Sequence, residues 1–382
     1  MSTLDTRSIH AGEPEPRIEG AVSMPVFQTA TYAHDDPGAT PRYIRYNNSP
    51  NHEALHEKLA SLTRTDGALV TASGMAAISS ALLSVLEAGD HLVAPQSLYG
   101  GTLALFNDLL PRFGVTHTLV ADDAPDAWTS ALQPNTAVLF TESIANPLLG
   151  IPDLKGMVDV AKNHGLATVI DNTFASPVNL RPATLGFDLV VHSATKYLGG
   201  HSDLAAGVVA GASAWLEDVR RTAKLLGGTL DPHACFLLHR SLKTLGVRVR
   251  QQNATAGHLA RALTEHEGIE QVHHPSLPSH PNRDRAQALL DGFGGMVSLR
   301  LSPAVEIDPF FEALSLPLRA PSLGGVETLV TQPIHTSHQD VDPSIRHALG
   351  ITERVVRVSV GLEGAGDLIE DFTGALDAGL GD

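Results

Sequence analysis

Short apolar runs alternate with helical stretches between about residue 51 and residue 230. The helical stretches include residues 53–62, 74–87 and 153–164. The apolar runs are ALVTA (68–72), HLVAP (91–95), AVLFTES (137–143), ATVIDN (167–172), DLVVHSA (188–194) and AAGVVAG (205–211). Apolar runs of this length, separated by helices, are typical of parallel strands that are covered on both faces. The pattern therefore predicts an α/β domain built on a mostly parallel sheet.

The two ends of the chain follow a different pattern. Residues 1–50 are rich in Pro, Gly and isolated polar residues, which predicts an extended N-terminal arm. A long helical segment at about 232–266 leads into a Pro-broken linker, VHHPSLPSHPN. The strand-like runs GGMVSLRL, VETLVT and ERVVRVSVG, followed by a closing helix at 365–379, predict a smaller α+β domain. The expected division is an arm (1–50), a large domain (51–245) and a C-terminal domain (246–382).

Composition and charge narrow the possible functions. The 382 residues are 43% hydrophobic and include one cysteine, Cys235, which excludes a disulfide framework and a zinc site made of cysteines. The formal net charge of −16 argues against nucleic acid or an anionic membrane as the main partner. No apolar run has the length of a membrane span, and the N-terminus lacks the apolar segment of a signal peptide. These features predict a soluble cytoplasmic enzyme.

One short motif suggests a metal site. His52-Glu53-Ala54-Leu55-His56 fits the zinc-protease pattern H-E-x-x-H, in which two histidines on one helix face bind zinc and the glutamate is the general base. Short motifs of this kind give false positives, and no H-x-x-G-x-x-H follows to supply a third ligand. The alternative is an ordinary helix with Glu53 favourably placed in its first turn. A zinc metalloprotease is therefore kept only as a remote alternative.

Candidate chemistry follows the predicted strands. Ligands of open α/β sheets bind at the carboxyl ends of the strands, so the residues directly after the apolar runs are candidates. Lys196, in HSATKYLGG, follows an almost purely apolar run and is either a Schiff-base lysine or a surface lysine at a strand exit. Asp171, which closes LATVID, either pairs with a protonated pyridine nitrogen or caps a turn.

Three further residues extend this set. Ser73 and Gly74 begin a helix with an apolar stripe, where free N–H groups and the helix dipole favour a phosphate. An ordinary serine cap is the alternative. Tyr99, in SLYGGT, either stacks on a flat ring or packs against neighbours. A lysine, an aspartate, an aromatic ring and a helix start at the strand ends together suit pyridoxal 5′-phosphate (PLP) as a cofactor.

Segments along nearly the whole chain carry a family resemblance. They are SIHAGEPEP, AVSMPVFQTATY, ASGMAAI, SLYGGT, ESIANP, VIDNTFASP, HSATKYLGGHSD, LKTL, GFGGMVS, SLGGVETLVTQP and VRVSVGLE. Together they resemble the trans-sulfuration, or Cys/Met-metabolism, family of PLP-dependent enzymes, and the lysine segment is highly specific. The resemblance implies an α/β fold of the type I PLP-dependent transferases, with a large mostly parallel sheet domain and a smaller C-terminal α+β domain. It also implies a homotetramer, a dimer of dimers with active sites shared between subunits.

The resemblance implies a role for each candidate residue. Lys196 would bind the cofactor as a Schiff base and move protons, Asp171 would hold the pyridinium, and Tyr99 would stack on the ring and assist proton transfer. The phosphate would be held by Ser73, Gly74, Met75, Ser193 and Thr195 and, from a neighbouring subunit, by Tyr43 and Arg45 of RYIRYNNSPN. Arg357, in VRVSVG, would bind the substrate α-carboxylate in a fork-shaped ion pair. Ser322 and Asn146 would help to orient that carboxylate.

The implied activity is cleavage of the C–S bond in sulfur amino acids of the L-cystathionine or L-methionine type. Elimination at the γ- or β-carbon would yield a keto acid, ammonia and a thiol. A γ-replacement synthase, either a cystathionine γ-synthase or an O-acetylhomoserine sulfhydrylase, shares these steps and is the main alternative. An aminotransferase of the same fold and a non-catalytic binding protein are further alternatives.

The match departs from the family at the substrate end. Arg42 stands where members that handle cystathionine typically carry a glutamate, Ala104 replaces an arginine or other polar residue, and Pro321 replaces a glutamate. NNSPN replaces GNPT, and Gly101 stands where methionine γ-lyases usually have a cysteine. The first three differences remove contacts with the far end of a long, charged substrate. The preferred substrate and the lyase or synthase direction therefore stay open at this point.

Overall fold

A seven-stranded sheet is the centre of the first part of the chain in the computed structural model, which describes residues 2–121, 124–339 and 341–381. Its strands in chain order are β1 (Gly67–Thr71), β2 (His91–Pro95), β3 (Thr116–Val120), β4 (Thr136–Glu142), β5 (Ala167–Asp171), β6 (Leu189–Ser193) and β7 (Gly207–Gly211). Their spatial order is β1-β7-β6-β5-β4-β2-β3. Strands β2 to β6 pair in parallel, which confirms the predicted mostly parallel sheet.

Strand β7 differs from the prediction because it runs antiparallel to both of its neighbours, β1 and β6. A parallel neighbour needs a crossover that returns the chain to the other end of the sheet, usually through a helix. Residues 194–206 between β6 and β7 form turns rather than a helix. The chain therefore re-enters the sheet at the end where β6 leaves it. Lys196 lies in this short return. The sequence pattern also missed β3, THTLV, because its first three residues are polar and only the last two are apolar.

Helices cover both faces of this sheet, as the apolar strands require. In β6, Val190 packs in a cluster with Leu55 and Leu59, whereas Leu189 and Val191 pack in a cluster with Leu82. The α-helices of the described residues are α1 (Leu4–His10), α2 (Pro50–Thr63), α3 (Gly74–Val85), α4 (Gly100–Ala104), α5 (Pro125–Ser130), α6 (Leu154–His164), α7 (Ser176–Asn179), α8 (Ser213–Leu226), α9 (Pro232–Leu242), α10 (Leu245–Leu263), α11 (Arg283–Leu289), α12 (Ile307–Ala313), α13 (Pro343–Ala348) and α14 (Ala365–Leu380).

A second, five-stranded sheet forms the centre of the C-terminal part. Its strands are β8 (Ile269–His273), β9 (Met296–Leu301), β10 (Leu318–Arg319), β11 (Leu329–Thr331) and β12 (Val355–Ser359), in the order β10-β11-β12-β9-β8. Apolar side chains of α10, α12 and α14, including Leu259, Phe310 and Phe372, pack against it in one buried cluster. The predicted runs GGMVSLRL, VETLVT and ERVVRVSVG contain β9, β11 and β12. They lie together with the closing helix in a smaller α+β unit.

The predicted long helix at 232–266 is wrong in one respect, because it is broken between α9 and α10. The carbonyl of Ser241 accepts a hydrogen bond from the Arg248 guanidinium at 3.0 Å and from the Thr244 N–H at 3.2 Å, so helical bonding stops there. No local sequence signal shows such a side-chain contact. We propose that the boundary between the large and the C-terminal domain, expected at residue 245, lies at this break.

The N-terminal segment contains more structure than its composition suggests. Helix α1 and the residues after it pack on the same chain, where the buried Glu13 carboxylate forms ion pairs with Arg17, Lys58 and Lys243. From residue 21 to residue 43 the backbone has no helix and only an isolated bridge, Thr31 to Tyr43. Within the described residues, no helix has both the length and the apolar character that a membrane crossing demands.

Candidate active site

A cavity of about 660 Å³ opens where the carboxyl ends of the parallel strands meet the C-terminal sheet. This is the edge at which α/β sheets bind ligands. The cavity is lined by eleven of the thirteen residues that the sequence proposes for the site: Ser73, Gly74, Met75, Tyr99, Asn146, Asp171, Ser193, Thr195, Lys196, Ser322 and Arg357. Residues separated by almost 300 positions in the chain are thus brought to one site.

Lys196 lies in the turn after β6, and its side chain extends into the cavity. Its Nζ atom donates a hydrogen bond to Ser322 Oγ at 2.6 Å. Burial and the positive charge of Arg357 lower the pKa of Lys196 to about 8. No acidic side chain in the described residues forms an ion pair with it. A substantial fraction of this amine is therefore neutral near physiological pH, as a nucleophile or a base requires.

Asp171 ends β5 and is 9% exposed. Its Oδ1 atom accepts hydrogen bonds from the backbone N–H of Thr173 at 2.9 Å and from the Thr173 hydroxyl. Burial raises the pKa of Asp171, and the two bonds from Thr173 oppose that rise. No cationic side chain of the described residues pairs with this carboxylate. A buried carboxylate at a cavity wall is well placed to pair with a cation supplied by a ligand.

The start of α3 forms a cradle beside Lys196. Ser73 caps the helix by accepting a hydrogen bond from the Ala76 N–H at 3.1 Å. Ser73 is thus an ordinary helix cap, and the helix that it caps also begins at the wall of the cavity. A Cβ atom at Gly74 would lie 2.7 Å from Ser193 Cβ. Only glycine therefore lets the N-terminus of α3 approach β6 so closely. The resulting concavity of N–H groups and hydroxyls suits an anion.

The hydroxyl of Thr195 is already engaged with the backbone. It accepts a hydrogen bond from the Ala206 N–H at 3.0 Å and lies 3.3 Å from the Ala206 carbonyl oxygen. These bonds hold the return from β6 to β7 in place. Its direct contact with a phosphate stays a prediction.

Arg357, on β12, enters the cavity from the C-terminal sheet. Its side chain donates to Asn146 Oδ1 at 3.1 Å and to the Ser322 carbonyl oxygen at 3.0 Å. Its Nε atom is buried and has no hydrogen-bond partner in the described structure. Burial lowers the pKa of Arg357 to about 10, so the group stays charged at neutral pH. A buried guanidinium without a paired acid is suited to an incoming carboxylate.

Tyr99 lies at the mouth of the cavity, where 41% of it is exposed. Its backbone N–H donates to Glu142 Oε1 at 2.7 Å. A Cβ atom at Gly101 would lie 2.5 Å from Tyr99 Cε1, so a cysteine at position 101 would require the ring to move. The glycine thus permits the observed ring position.

The cavity also contains residues to which the sequence analysis gave no role. They include Ile78, Glu142, Ile144, Thr173, Phe174, Leu323, His335, Thr336 and Ser337. Glu142 could have been selected from the sequence, since it lies at the carboxyl end of a predicted strand, where ligands of α/β sheets bind. Thr173 is recognisable as the partner of Asp171 two positions away. The stretch 335–337 comes from a turn of the C-terminal part, and no periodic pattern indicates its position.

Tyr43 and Arg45 do not line this cavity. The Arg45 guanidinium lies over the rings of Tyr43 and Tyr46, with its central carbon 5.6 Å and 5.4 Å from the two centroids. Tyr43 is 37% exposed. Both side chains are therefore on the outside of this chain rather than in its own site.

The H-E-x-x-H motif lies on α2, away from the cavity lining. His52 donates from Nε2 to the Leu230 carbonyl oxygen at 2.8 Å, and His56 Nε2 accepts from the Val70 N–H at 3.1 Å. Both Nε2 atoms are thus used by the backbone. Glu53 is in the first turn of α2 and pairs with Arg42 at 2.8 Å. No cluster of metal-binding side chains occurs among the residues that the structure describes, and the motif is part of an ordinary helix.

Comparison with known proteins identifies the family. The model of the family described as "Cys/Met metabolism PLP-dependent enzyme" matches residues 5–377. The chain belongs to this family. Its relatives include cystathionine gamma-lyase of Bacillus subtilis (strain 168), 38% identical over 97% of this chain and 98% of that protein. Cystathionine beta-lyase of Lactococcus lactis subsp. cremoris (strain MG1363) is 37% identical over 99% and 100%.

Solved structures show the same relationship. The structure of cystathionine gamma synthase from Xanthomonas oryzae pv. oryzae in complex with cystathionine superimposes with a TM-score of 0.95, 34% identity and coverage of 99% of both chains. The predicted type I PLP-transferase fold, the PLP dependence and the membership in sulfur amino-acid metabolism are therefore confirmed. The chain is a PLP-dependent enzyme of this metabolism.

The residues in the cavity fit PLP. Asp171 is a buried carboxylate without a cationic partner in the described structure, and it matches a protonated pyridine nitrogen. The cradle at Gly74, which a Cβ atom would fill, matches the phosphate. Lys196, with its lowered pKa, matches the aldehyde.

Proposed function

We propose that this enzyme cleaves the C–S bond of an amino acid of the L-cystathionine or L-methionine type by γ- or β-elimination. The products would be a keto acid, ammonia and a thiol. One observation carries the proposal: Ser322 accepts from Lys196 through its hydroxyl and from Arg357 through its carbonyl oxygen. An amino acid whose carboxylate binds Arg357 thus has its α-carbon next to the amine of Lys196.

Lys196 moves the protons in the proposed reaction. Its amine, with a pKa near 8, takes the proton from the α-carbon and returns a proton along the side chain of the substrate. PLP, when bound, withdraws electrons from the α-carbon and makes that proton acidic. Asp171 would keep the pyridine nitrogen of PLP protonated, and Tyr99 would stack on the ring and assist the proton transfers. Ser322 Oγ lies 2.6 Å from Nζ, so this hydroxyl holds the amine in a defined position whenever the amine is free.

The remaining assigned residues bind and orient. Arg357 and Asn146 hold the substrate carboxylate with Ser322, whose backbone lies at φ +89° in the left-handed region. This backbone turns the carbonyl oxygen towards Arg357 while the hydroxyl meets Lys196. The start of α3, with Ser73, Gly74 and Met75, and the residues Ser193 and Thr195 hold the phosphate.

We further propose that Tyr43 and Arg45 complete the phosphate site of a neighbouring subunit in a homotetramer, a dimer of dimers, located in the cytoplasm. The exposed position of Tyr43 outside the chain's own cavity supports this assignment. Apolar side chains exposed nearby in the chain, such as Val22 at 82%, are consistent with a covered surface in the assembly.

A γ-replacement synthase is the second candidate. It is favoured by the similarity to a cystathionine gamma synthase. Pro321, which lines the cavity, offers no charge to the far end of cystathionine and therefore favours the shorter substrates of an O-acetylhomoserine sulfhydrylase. The other two differences lie outside the cavity lining: Arg42 is paired with Glu53, and Ala104 is part of α4. A synthase would let a thiol attack the intermediate that the lyase releases.

Product analysis separates the two activities. The enzyme is incubated with L-cystathionine, L-methionine, L-homocysteine, or O-acetylhomoserine plus sulfide, and keto acid, ammonia and thiol, including homocysteine formed from sulfide, are quantified. The proposal predicts keto acid and ammonia in equal amounts from at least one thioether substrate, without an added amino acceptor. Transfer of the amino group to an added keto acid instead would show an aminotransferase, and product formation only from O-acetylhomoserine plus sulfide would show a synthase.

The lowered pKa of Lys196 predicts how cofactor uptake depends on pH. The neutral amine is the form that captures PLP, and it predominates above a pH of about 8 because burial and Arg357 lower the pKa to that value. The rate at which apoprotein takes up PLP should therefore rise with pH and be half-maximal near pH 8. Absorbance measurements in rapid mixing test this, with N-acetyl-lysine as the unperturbed comparison. A midpoint near that of the free amine would contradict the assignment.

A further inference from the structure

Glu142 is a buried acid in the active-site cavity to which neither the sequence motifs nor the proposed reaction gives a task. It ends β4 next to Asp171, with which it is paired in the parallel register of β4 and β5. Glu142 is 6% exposed and lines the cavity. No cationic side chain of the described residues forms an ion pair with it. Burying an acid in this way costs free energy unless its polar atoms find partners.

The contacts of Glu142 go to two loops. Its Oε1 atom accepts from the Tyr99 N–H at 2.7 Å, and the backbone N–H of Asn146, four residues further along the chain, acts on this carboxyl to lower its pKa. The first loop carries the aromatic ring at the mouth of the cavity. The second carries the amide oxygen that accepts from Arg357 at 3.1 Å. One side chain therefore connects the ring, the amide and, through the amide, the guanidinium.

The charge of Glu142 is consistent with a task of this kind. Burial and the neighbouring charge of Asp171 raise the pKa of Glu142 to about 8, while the bonds from Tyr99 and Asn146 oppose the rise. The group is thus mainly a neutral acid at pH 7. A neutral acid can accept the two N–H groups without competing for the pyridinium.

We propose that Glu142 is a positioning residue, whose carboxyl fixes the loops of Tyr99 and Asn146 relative to one another. The substrate carboxylate and the cofactor ring are thereby held in one geometry. This inference rests on the proposed function, because that function assigns the substrate carboxylate to Arg357 and Asn146 and the cofactor ring to Tyr99. The two loop contacts themselves exist in the protein without cofactor or substrate.

Two substitutions at this position and one control test the proposal. Glu142→Gln keeps a neutral acceptor of the same size, whereas Glu142→Ala removes the acceptor. Thr141→Val is the control, because Thr141 is buried on the same strand and its hydroxyl contacts only the Glu142 carbonyl oxygen among the bonds described. Amide hydrogen exchange of the apoprotein, measured by mass spectrometry on the peptides that contain Tyr99 and Asn146, is the readout that requires no activity.

In Glu142→Ala, exchange in both peptides should be faster by about tenfold or more, because a lost hydrogen bond to a buried acceptor opens the loop. PLP affinity should fall, and KM for a thioether substrate should rise more than kcat falls. Glu142→Gln and Thr141→Val should stay within about threefold of the wild type in exchange and in KM. If Glu142→Ala exchanges like the wild type in both peptides, the proposal is wrong. If Glu142→Gln behaves like Glu142→Ala in KM and in PLP affinity, the negative charge rather than the position matters, and the proposal is also wrong.

The exchange result separates this inference from the proposed function. Faster exchange together with an enzyme that does not cleave C–S bonds would keep Glu142 as the link between the loops and refute the lyase assignment. Unchanged exchange in an enzyme that cleaves C–S bonds would refute the role of Glu142 and keep the lyase assignment.

Discussion

Replacing Lys196 with alanine is expected to lower turnover of the preferred sulfur amino acid by about 10³-fold or more, because the variant loses the base that takes the α-proton. The variant should also lack the visible absorption of lysine-bound PLP. Lys196 is the lysine in the cavity lining, and its Nζ atom is held at 2.6 Å from Ser322 Oγ. Steady-state kinetics and an absorption spectrum of the purified variant give both results in one preparation.

The matched control is Lys155→Ala, which removes an exposed lysine on α6. It should keep the activity and the spectrum of the wild type. Activity of Lys196→Ala within about tenfold of the control would mean that another group moves the proton, and the mechanism would have to be abandoned.

Replacing Arg357 with lysine is expected to raise KM by about 10²-fold while kcat changes by less than about tenfold. The lysine keeps the positive charge but lacks the planar fork that binds a carboxylate. Its donors are all on one nitrogen, which cannot occupy the places of both Nη1 at Asn146 Oδ1 and Nη2 at the Ser322 carbonyl oxygen. Initial rates over a wide range of substrate concentration separate the two constants.

Arg319→Lys provides the comparison, since Arg319 is an exposed arginine on the same C-terminal sheet. It should leave both constants unchanged. A KM for Arg357→Lys within about threefold of the wild type would place the substrate carboxylate elsewhere, and Arg357 would then have only a structural role.

The parts of the site that the sequence predicted are those set by local patterns. Lys196 and Asp171 each follow an apolar strand, and the carboxyl ends of parallel strands meet at one edge. The start of α3 follows from a serine cap and a glycine. These signals extend over a few residues, so they can be recognised without knowledge of the tertiary structure.

The parts that the sequence did not predict depend on contacts between distant residues. The bond from the Tyr99 N–H to Glu142 joins positions 43 residues apart, and the Arg248 side chain that accompanies the break after α9 acts across the helix surface. The antiparallel direction of β7 depends on how the return from β6 folds. Propensity and periodicity contain no information on such pairings.

The N-terminal segment illustrates the same limit. Helix α1 is short and weakly patterned, and its place is fixed by tertiary contacts, both its own, such as the bond from Lys58 Nζ to the Ser8 carbonyl oxygen at 2.9 Å, and those of the residues that follow it. The Glu13 carboxylate lies 2.7 Å from Lys243 Nζ and 3.5 Å from Lys58 Nζ. Composition correctly indicated little regular structure for the part from residue 21 to residue 43, where no such cluster occurs in the described contacts.

The most direct test of the account is to locate the cofactor on the chain. Purified protein is loaded with PLP, reduced with borohydride, digested and analysed by mass spectrometry, with Lys196→Ala treated in parallel. The account predicts one pyridoxyl group per chain, on the peptide that contains Lys196, and none at this position in the variant. A pyridoxyl group fixed on a different lysine of the wild-type protein would contradict it.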